Sequence, residues 1–249
     1  MSIKISFILL TWNSEKYLGK CLNSLLANLR GSQFSHEVFI VDNGSKDTTV
    51  PMINSYLVRH PDVIVPIFLE TNKGTTDSRN LGLRRARGRY IGIMDSDVEI
   101  PEGTIIQLVS TLEENENAGL VAPKVVYPNG NYQKSTDALP TVFTKLFRWF
   151  FLKSIEKKEK SQKQKVDLCE VDYAISAMWM LKSELLQIVG LLDENIFYAP
   201  EDLDYCVRVR QAGYKVLYDP RVAVVHHAQE ISRGLRINRA TVSHLKGLA

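Results

Sequence analysis

Hydrophobic positions follow two rhythms along the first half of the chain. Short runs of β-branched and aliphatic residues alternate with longer stretches in which apolar residues recur every three or four positions. Residues 3–10 read as a first strand, and residues 15–29 as a helix with Leu18, Leu22, Leu25, Leu26 and Leu29 on one face. The same reasoning predicts strands at 37–41, 63–69, 90–94 and 120–126, and helices at 48–59, 74–86 and 101–115. The third helix stops at Gly88, and Pro101 suits the first turn of the fourth. Strands separated by helices of this length predict βαβ units. They imply an α/β fold with a largely parallel sheet covered on both faces.

The second half changes character. Residues 173–181 are strand-like, 183–189 a short helix, and 200–212 a helix closed by Gly213. Residues 215–218 and 222–225 read as strands leading into His226-His227. Between the halves, residues 140–165 are aromatic and basic. The stretch from 232 onward is polar and basic without a readable period.

Composition narrows the class. The 249 residues are 45% hydrophobic and 24% charged, values ordinary for a globular chain. A mostly disordered, collagen-like or polytopic membrane protein is excluded, because no apolar run nears the ~20 residues that span a bilayer. A net charge of +3 is too small to point to nucleic acid. One segment carries the excess: residues 143–165 hold eight Lys/Arg and two Glu, which leaves the rest of the chain net acidic. The three cysteines, Cys21, Cys169 and Cys206, are odd in number and widely spaced, with no C-x-x-C. They predict free thiols in a reducing compartment rather than a disulfide framework or zinc knuckle. Only Lys4 precedes the first apolar run, which ends without a small-residue cleavage site, so a cytoplasmic location is expected.

Open α/β sheets bind ligands beyond the carboxyl ends of their strands. Three polar clusters fall there: Thr11-Trp12-Asn13, Asp42-Asn43-Gly44-Ser45 and Asp95-Ser96-Asp97. Residues two apart on extended backbone face one side, so Asp95 and Asp97 can address one point. Such carboxylates repel unless a proton or cation lies between them, and Mg²⁺ or Mn²⁺ bridging to substrate phosphates fits. Turn formation or capping of the next helix is the competing reading. Asp42 can accept from the ring N–H of a pyrimidine base or close an Asx turn. Asn72-Lys73-Gly74 opens a helix, whose N-terminus favours anions. Arg79, on that helix, can reach a base or phosphate or face solvent.

Two further clusters lie in the second half. Pro200-Glu201-Asp202-Leu203-Asp204 has the residues that a helix start wants, and Asp204 sits four before Arg208. Asp202 and Asp204 lie roughly 200° apart around a helix, so they cannot share one task. His226 and His227 face opposite ways on a strand, so at most one reaches a given site, where it could bind a borderline metal.

The order of these elements resembles the family 2 glycosyltransferases of the GT-A fold, and most closely a branch that includes rhamnosyltransferase-like enzymes. The matching motifs run over residues 3–230. They include Leu10-Thr11-Trp12-Asn13-Ser14, Val41-Asp42-Asn43-Gly44-Ser45, Asn72-Lys73-Gly74 through Arg79-Asn80-Leu81-Gly82, Asp95-Ser96-Asp97-Val98, Glu201-Asp202-Leu203-Asp204 with Arg208, and Val225-His226-His227.

The resemblance implies a single GT-A domain over 1–249, with a mostly parallel, Rossmann-like central sheet and helices on both faces. Residues 1–127 would form the nucleotide-sugar half and 128–231 the acceptor side, with 232–249 a tail. Thr11, Asn13, Asp42, Arg79, Asp95 and Ser96 would line the nucleotide pocket, with Asp42 on the base. Asp97, joined by Asp95 and His226, would hold Mn²⁺ or Mg²⁺ at the diphosphate. Asp202 falls at the catalytic base, with Glu201 and Asp204 in support or facing the acceptor. Trp179 stands in Ser176-Ala177-Met178-Trp179, near where many relatives carry a glycine. It lines the acceptor or sugar pocket, or else is a core aromatic. The implied reaction is an inverting transfer of a hexosyl or deoxyhexosyl group from a UDP or dTDP sugar, with GDP also open. The acceptor would be a hydroxyl of a glycan or lipid-linked molecule in cell-surface polysaccharide or glycoconjugate synthesis.

Other classes fit less well. A sugar-phosphate nucleotidyltransferase needs a Gly-rich basic loop after the first strand, and residues 10–14 contain no glycine. A dehydrogenase would show G-x-G-x-x-G and a P-loop kinase G-x-x-x-x-G-K-[ST], and neither is present. A phosphatase built on Asp95-Ser96-Asp97 leaves Asp202 and His226 without a task. A non-catalytic sugar-nucleotide-binding relative predicts that Asp97→Ala is harmless. Finally, a helix over 143–154 would carry a stripe of Phe143, Leu146, Phe147, Phe150 and Phe151. Trp149 would lie outside it, among Lys145, Arg148 and Lys153. That pattern predicts peripheral attachment to an anionic membrane surface, against a flap over the site or a contact within a homodimer.

Overall fold

The computed structural model describes residues 4–32, 34–137 and 167–227. The basic aromatic segment, with its membrane and homodimer expectations, and the tail at 232–249 lie outside the described residues. Near the N-terminus the predicted alternation is realised as β1 (Ile5–Thr11), α1 (Leu18–Ser32), β2 (His36–Asp42), α2 (Thr49–Arg59), β3 (Ile64–Phe68), α3 (Thr75–Leu83) and β4 (Tyr90–Asp95). These strands lie side by side as β3-β2-β1-β4, all parallel. Register sets Thr11 beside Asp42, and Leu10 beside Asp95. The three polar clusters of the sequence therefore emerge at one edge of one sheet.

The sheet continues through elements that long-range pairing decides. After β5 (Val98–Glu99) and α4 (Thr104–Glu114) comes β6 (Ala118–Val126), and β7 (Thr136–Asp137) follows. Beyond residue 166 lie β8 (Cys169–Val171), β9 (Tyr173–Ala174), β10 (Met178–Lys182), α5 (Leu185–Ile188), α6 (Glu201–Gln211) and β11 (Lys215–His226). β10 runs antiparallel between β4 and β6, and β11 runs parallel to β6. β5 and β8 pair antiparallel with β11, while β7 and β9 make a separate ribbon.

Two expectations change here. The run at 173–181 is two strands in two sheets rather than one. The runs at 215–218 and 222–225 are a single strand with an irregularity between Asp219 and Ala223. Buried Asp219 carries the chain across Pro220, accepting from Thr111 Oγ1 at 2.6 Å and from Arg221 at 2.8 Å.

Alternation sorts the core into two layers. Ile5, Phe7 and Leu9 of β1, with Met178 and Met180 of β10, pack with Leu22, Ile53 and Leu108 of α1, α2 and α4. Ile8 of β1 and Trp179 and Leu181 of β10 face the other layer, with Leu83, Tyr205 and Val209 of α3 and α6. Trp179 is 0% exposed and stacks on Tyr205 with ring centroids 6.1 Å apart. The expectation that it lines a pocket is corrected: its strand position turns it into the layer beneath α6, where it is a core aromatic. Cys21 and Cys206 are buried free thiols, and Cys169 is free and half-buried. Among the described residues no helix is long and apolar enough to cross a membrane.

Candidate active site

The loops after β1 and β2 are stitched to each other. Asp42 accepts from Thr11 Oγ1 at 3.3 Å, from Ser45 N–H at 3.0 Å and from Ser45 Oγ at 2.5 Å, closing an Asx turn. Asn13, at φ 48°, donates its N–H to Ser45 Oγ and accepts from Lys46 N–H on Oδ1, both at 2.8 Å. Asn43 ties this floor to the start of α3, its Oδ1 accepting from Lys73 N–H at 2.8 Å and its Nδ2 donating to the Gly74 carbonyl at 3.2 Å.

The start of α3, expected to favour anions, commits several of its donors within the chain. Gly74 N–H donates to Asn72 Oδ1 at 2.9 Å, and Thr75 N–H donates to the Phe197 carbonyl at 2.7 Å. With Lys73 N–H also committed, these donors are consumed by the chain itself. Gly74 is required: its φ is 90°, and a Cβ there would stand 2.5 Å from Phe197 O. Thr76 Oγ1 donates to Ile196 O at 2.6 Å. Asn80 exchanges hydrogen bonds with the backbone of Leu192 at 2.9 and 3.1 Å. The segment that leads into α6 is thereby strapped to α3.

Arg79, on the same helix, is 1% exposed. Its guanidinium donates to Asp95 Oδ1 at 2.6 Å, to Ser176 Oγ at 2.9 Å and to Glu201 Oε1 at 3.4 Å. The expectation that Arg79 reaches a base or phosphate gives way to an inward role. It joins the end of β4 to the start of α6, which are more than a hundred residues apart in sequence. Ser176 Oγ also donates to Glu201 Oε1 at 3.3 Å, closing the network.

Asp202 follows directly, with Oδ1 accepting from Leu203 N–H at 2.7 Å. Burial, and then the neighbouring charge of Glu201, push its carboxyl up to about 7. Tyr198 lies near the same charges: burial, then Asp95 and Glu201, raise its phenol above the ordinary value. Asp204 turns away, as the helical angle requires. Arg208 donates to it at 2.7 and 2.9 Å and also to the carbonyls of Val189 and Leu191 at 3.1 and 3.0 Å. The expectation of an acceptor-facing Asp204 is replaced by this pin between α6 and the chain before it.

The third cluster closes on itself. Ligand atoms of Asp95, Asp97 and His226 all lie within 4.8 Å of one another. His226 arrives because β11 pairs with β5 in a register that sets it against Val98. Its Nε2 stands 3.3 Å from Asp97 Oδ1, a buried atom with no hydrogen-bond partner among the described residues. Burial would lower the His226 pKa, but the contact and charge of Asp97, with Asp95, raise it above the ordinary imidazole value. Burial, opposed by the Arg79 charge, raises the Asp95 carboxyl.

Two carboxylates and one imidazole suit a hard or borderline divalent ion. An orphaned carboxylate oxygen at the centre of the cluster fits the same group. His227 faces the other way, its Nε2 meeting Glu99 Oε1 at 2.5 Å and its ring lying 5.0 Å from Tyr17. Ser96, expected at the nucleotide, is buried and shares a 2.7 Å hydrogen bond with Ser14 Oγ, fastening this loop to the one after β1.

Residues 6–190 match the family model described as Glycosyl transferase family 2. The chain belongs to that family. This family 2 chain is 30% identical over 132 residues to a glycosyltransferase of Haemophilus influenzae, a match covering 51% of the chain and 46% of the relative. It is 34% identical over 116 residues to the poly(ribitol-phosphate) β-N-acetylglucosaminyltransferase TarS of Staphylococcus aureus, covering 46% of the chain and 20% of the relative. The matched stretches span less than half the length of these curated relatives.

Among solved structures, GalNAc-T7 with UDP, GalNAc and Mn²⁺ superimposes with a TM-score of 0.69 at 15% identity, over 90% of this chain and 44% of that one. The mannosyltransferase PcManGT of Pyrobaculum calidifontis, with GDP-Man and Mn²⁺, gives 0.63 at 19%, over 93% and 59%. These likenesses establish the GT-A fold. Sequence reasoning left Ser176 and Tyr198 without a place in the site. No motif spacing marks them.

Proposed function

We propose that this family 2 chain is an inverting, metal-dependent transferase of the rhamnosyltransferase-like kind. It moves a hexosyl or deoxyhexosyl group from a UDP or dTDP sugar to a hydroxyl of a glycan or lipid-linked acceptor, on the cytoplasmic side, in cell-surface polysaccharide synthesis. The observation that carries this reading is the double grip of Arg79. By holding Asp95 and Glu201 at once, it keeps the Asp95–Asp97–His226 cluster and Asp202 at one end of the sheet.

Asp95, Asp97 and His226 would hold Mn²⁺ or Mg²⁺, which when bound neutralises charge developing on the diphosphate leaving group. Thr11, Asn13 and Asp42 form the base end, with Asp42 as the acceptor for a pyrimidine N–H. Asp202 takes the proton from the acceptor hydroxyl as that oxygen attacks the anomeric carbon. The bond to the diphosphate breaks on the opposite face, so the configuration inverts and the proton remains on the Asp202 carboxyl. A carboxyl raised toward neutrality is well matched to this proton transfer near neutral pH.

The names of matched relatives support the substrate class: one is a poly(ribitol-phosphate) β-glucosyltransferase, another a dodecaprenyl-phosphate galacturonate synthase. The deciding experiment is thermal unfolding with a panel of UDP, dTDP and GDP sugars, with and without Mn²⁺. The correct donor raises the midpoint, and more so with Mn²⁺, because ligands of the folded state stabilise it by mass action. A flat response across the panel overturns the donor reading.

A further inference from the structure

A hairpin between the two halves of the chain reaches the candidate ion site from a direction that no motif marks. After β6 the chain turns through Pro128-Asn129-Gly130-Asn131, where Gly130 N–H donates to Tyr127 O and Tyr127 N–H to Asn131 O, both at 2.8 Å. The returning limb pairs Tyr132 with Val126, and Gln133 N–H donates to Val125 O at 3.0 Å. Because β11 runs beside β6 with Val225 opposite Val126, the next residue of β11 meets this limb. Gln133 Oε1 lies 3.1 Å from Nδ1 of His226. The other ring nitrogen, Nε2, faces Asp97.

We propose that Gln133 is a positioning residue that fixes the tautomer and ring plane of His226, so that its Nε2 lone pair is presented to a divalent cation. The inference rests on the reading of Asp95, Asp97 and His226 as ion ligands. In a neutral imidazole one nitrogen carries the proton and the other the lone pair, and the hydrogen bond made by the first decides which. A carbonyl oxygen at Nδ1 accepts the Nδ1 proton and, against the pull of the Asp97 carboxylate on the other nitrogen, keeps the Nε2 lone pair for a cation. The reversed amide would donate to Nδ1, put the proton on Nε2 and close the ring to a cation. The backbone bond from Gln133 to Val125 and the tight turn before it hold the Gln133 backbone beside His226. The acceptor is therefore built into the fold and present before any ion arrives. Partners of this kind typically set metal affinity by ~10–100-fold.

The test uses the full chain and Mn²⁺ alone, read by calorimetry and electron paramagnetic resonance. Nitrogen-15 spectra of His226 are recorded at alkaline pH, where imidazoles are neutral. The wild type shows the Nδ1–H form. Gln133→Leu shifts toward the Nε2–H form and binds Mn²⁺ about 10- to 100-fold more weakly. Gln133→Glu, which can only accept, keeps the Nδ1–H form and the wild-type affinity. Equal weakening in the Leu and Glu variants would overturn the proposal in favour of a merely structural hairpin contact, as would unchanged spectra and affinity in Gln133→Leu. If the wild type itself binds no Mn²⁺, the ion-site reading fails and this inference falls with it. If the wild type binds and Gln133→Leu binds equally well, only the role of Gln133 is lost.

Discussion

Two Asp-x-Asp triplets flank the site, and identical spacing gives them opposite fates. Asp95 closes β4 and Ser96-Asp97 make the turn into β5, and both carboxylates reach the cluster with His226. Asp202-Leu203-Asp204 lies in the first turn of α6, where Asp202 stays beside Glu201 while Asp204 swings round to Arg208. The tight turn between β4 and β5 returns both side chains to one point, whereas a helix turns by about 200° over the same interval. The same three-letter pattern thus marks a shared focus in one case and a division of labour in the other. The backbone conformation decides which.

Four substitutions or conditions separate these fates. The largest effect is expected from Asp202→Asn: transfer falls about 10²–10⁴-fold, the usual worth of a general base, while the donor-induced rise in unfolding midpoint is kept. Full transfer in this variant would remove Asp202 from the chemistry. Next, Asp97→Ala should weaken Mn²⁺ binding by more than the ~10–100-fold typical of losing an outer hydrogen-bond partner of a ligand. Titration calorimetry checks it, and unchanged affinity would move the ion site elsewhere.

Third comes pH. The Asp202 carboxyl titrates near 7 in the folded chain and near its ordinary value when unfolded, so the folded state holds more protons in between. In chelator, stability should fall as pH rises from about 4 to about 7, by at most ~1.4 kcal/mol per pH unit, and then level. Asp202→Asn should lack that fall, and parallel curves for the two proteins would contradict it. The smallest effect belongs to Asp204→Asn. Breaking this half-buried i,i+4 pair costs about 0.3–1 kcal/mol in chemical denaturation and leaves transfer unchanged. A large loss of transfer would make the two halves of the second triplet equivalent after all.

The sequence was most legible where the interactions are local. β1 to β4 and α1 to α4 stand within a few residues of their predicted places, because alternation and helical period record which face each residue buries. β5 is two residues long and has no period to read, and the antiparallel course of β10 depends on partners far along the chain. The join of β11 across Pro220 was hidden for a similar reason, since buried Asp219, held by Thr111 and by the exposed Arg221, satisfies the break.

The site divides in the same way. Asp95, Asp97 and His226 come together as their strand ends suggested. Trp179 was left open between pocket and core, and Arg79 was read as facing outward, because their burial is set by α6, whose packing no local pattern encodes. Glu201 and Ser176, which claim the Arg79 guanidinium, lie 122 and 97 residues away from it.

The strap between α3 and the segment before α6 has a mechanical consequence. Thr75 N–H rests on Phe197 O and Thr76 Oγ1 on Ile196 O, five and six residues ahead of Asp202. Any excursion that carries the stretch from 192 to 200 away from the sheet must also fray the opening turn of α3. Loop departure and helix fraying are thus a single event rather than two. The rate at which the Thr75 amide trades its hydrogen for deuterium is then a clock for how often the acidic end of the following helix lets go.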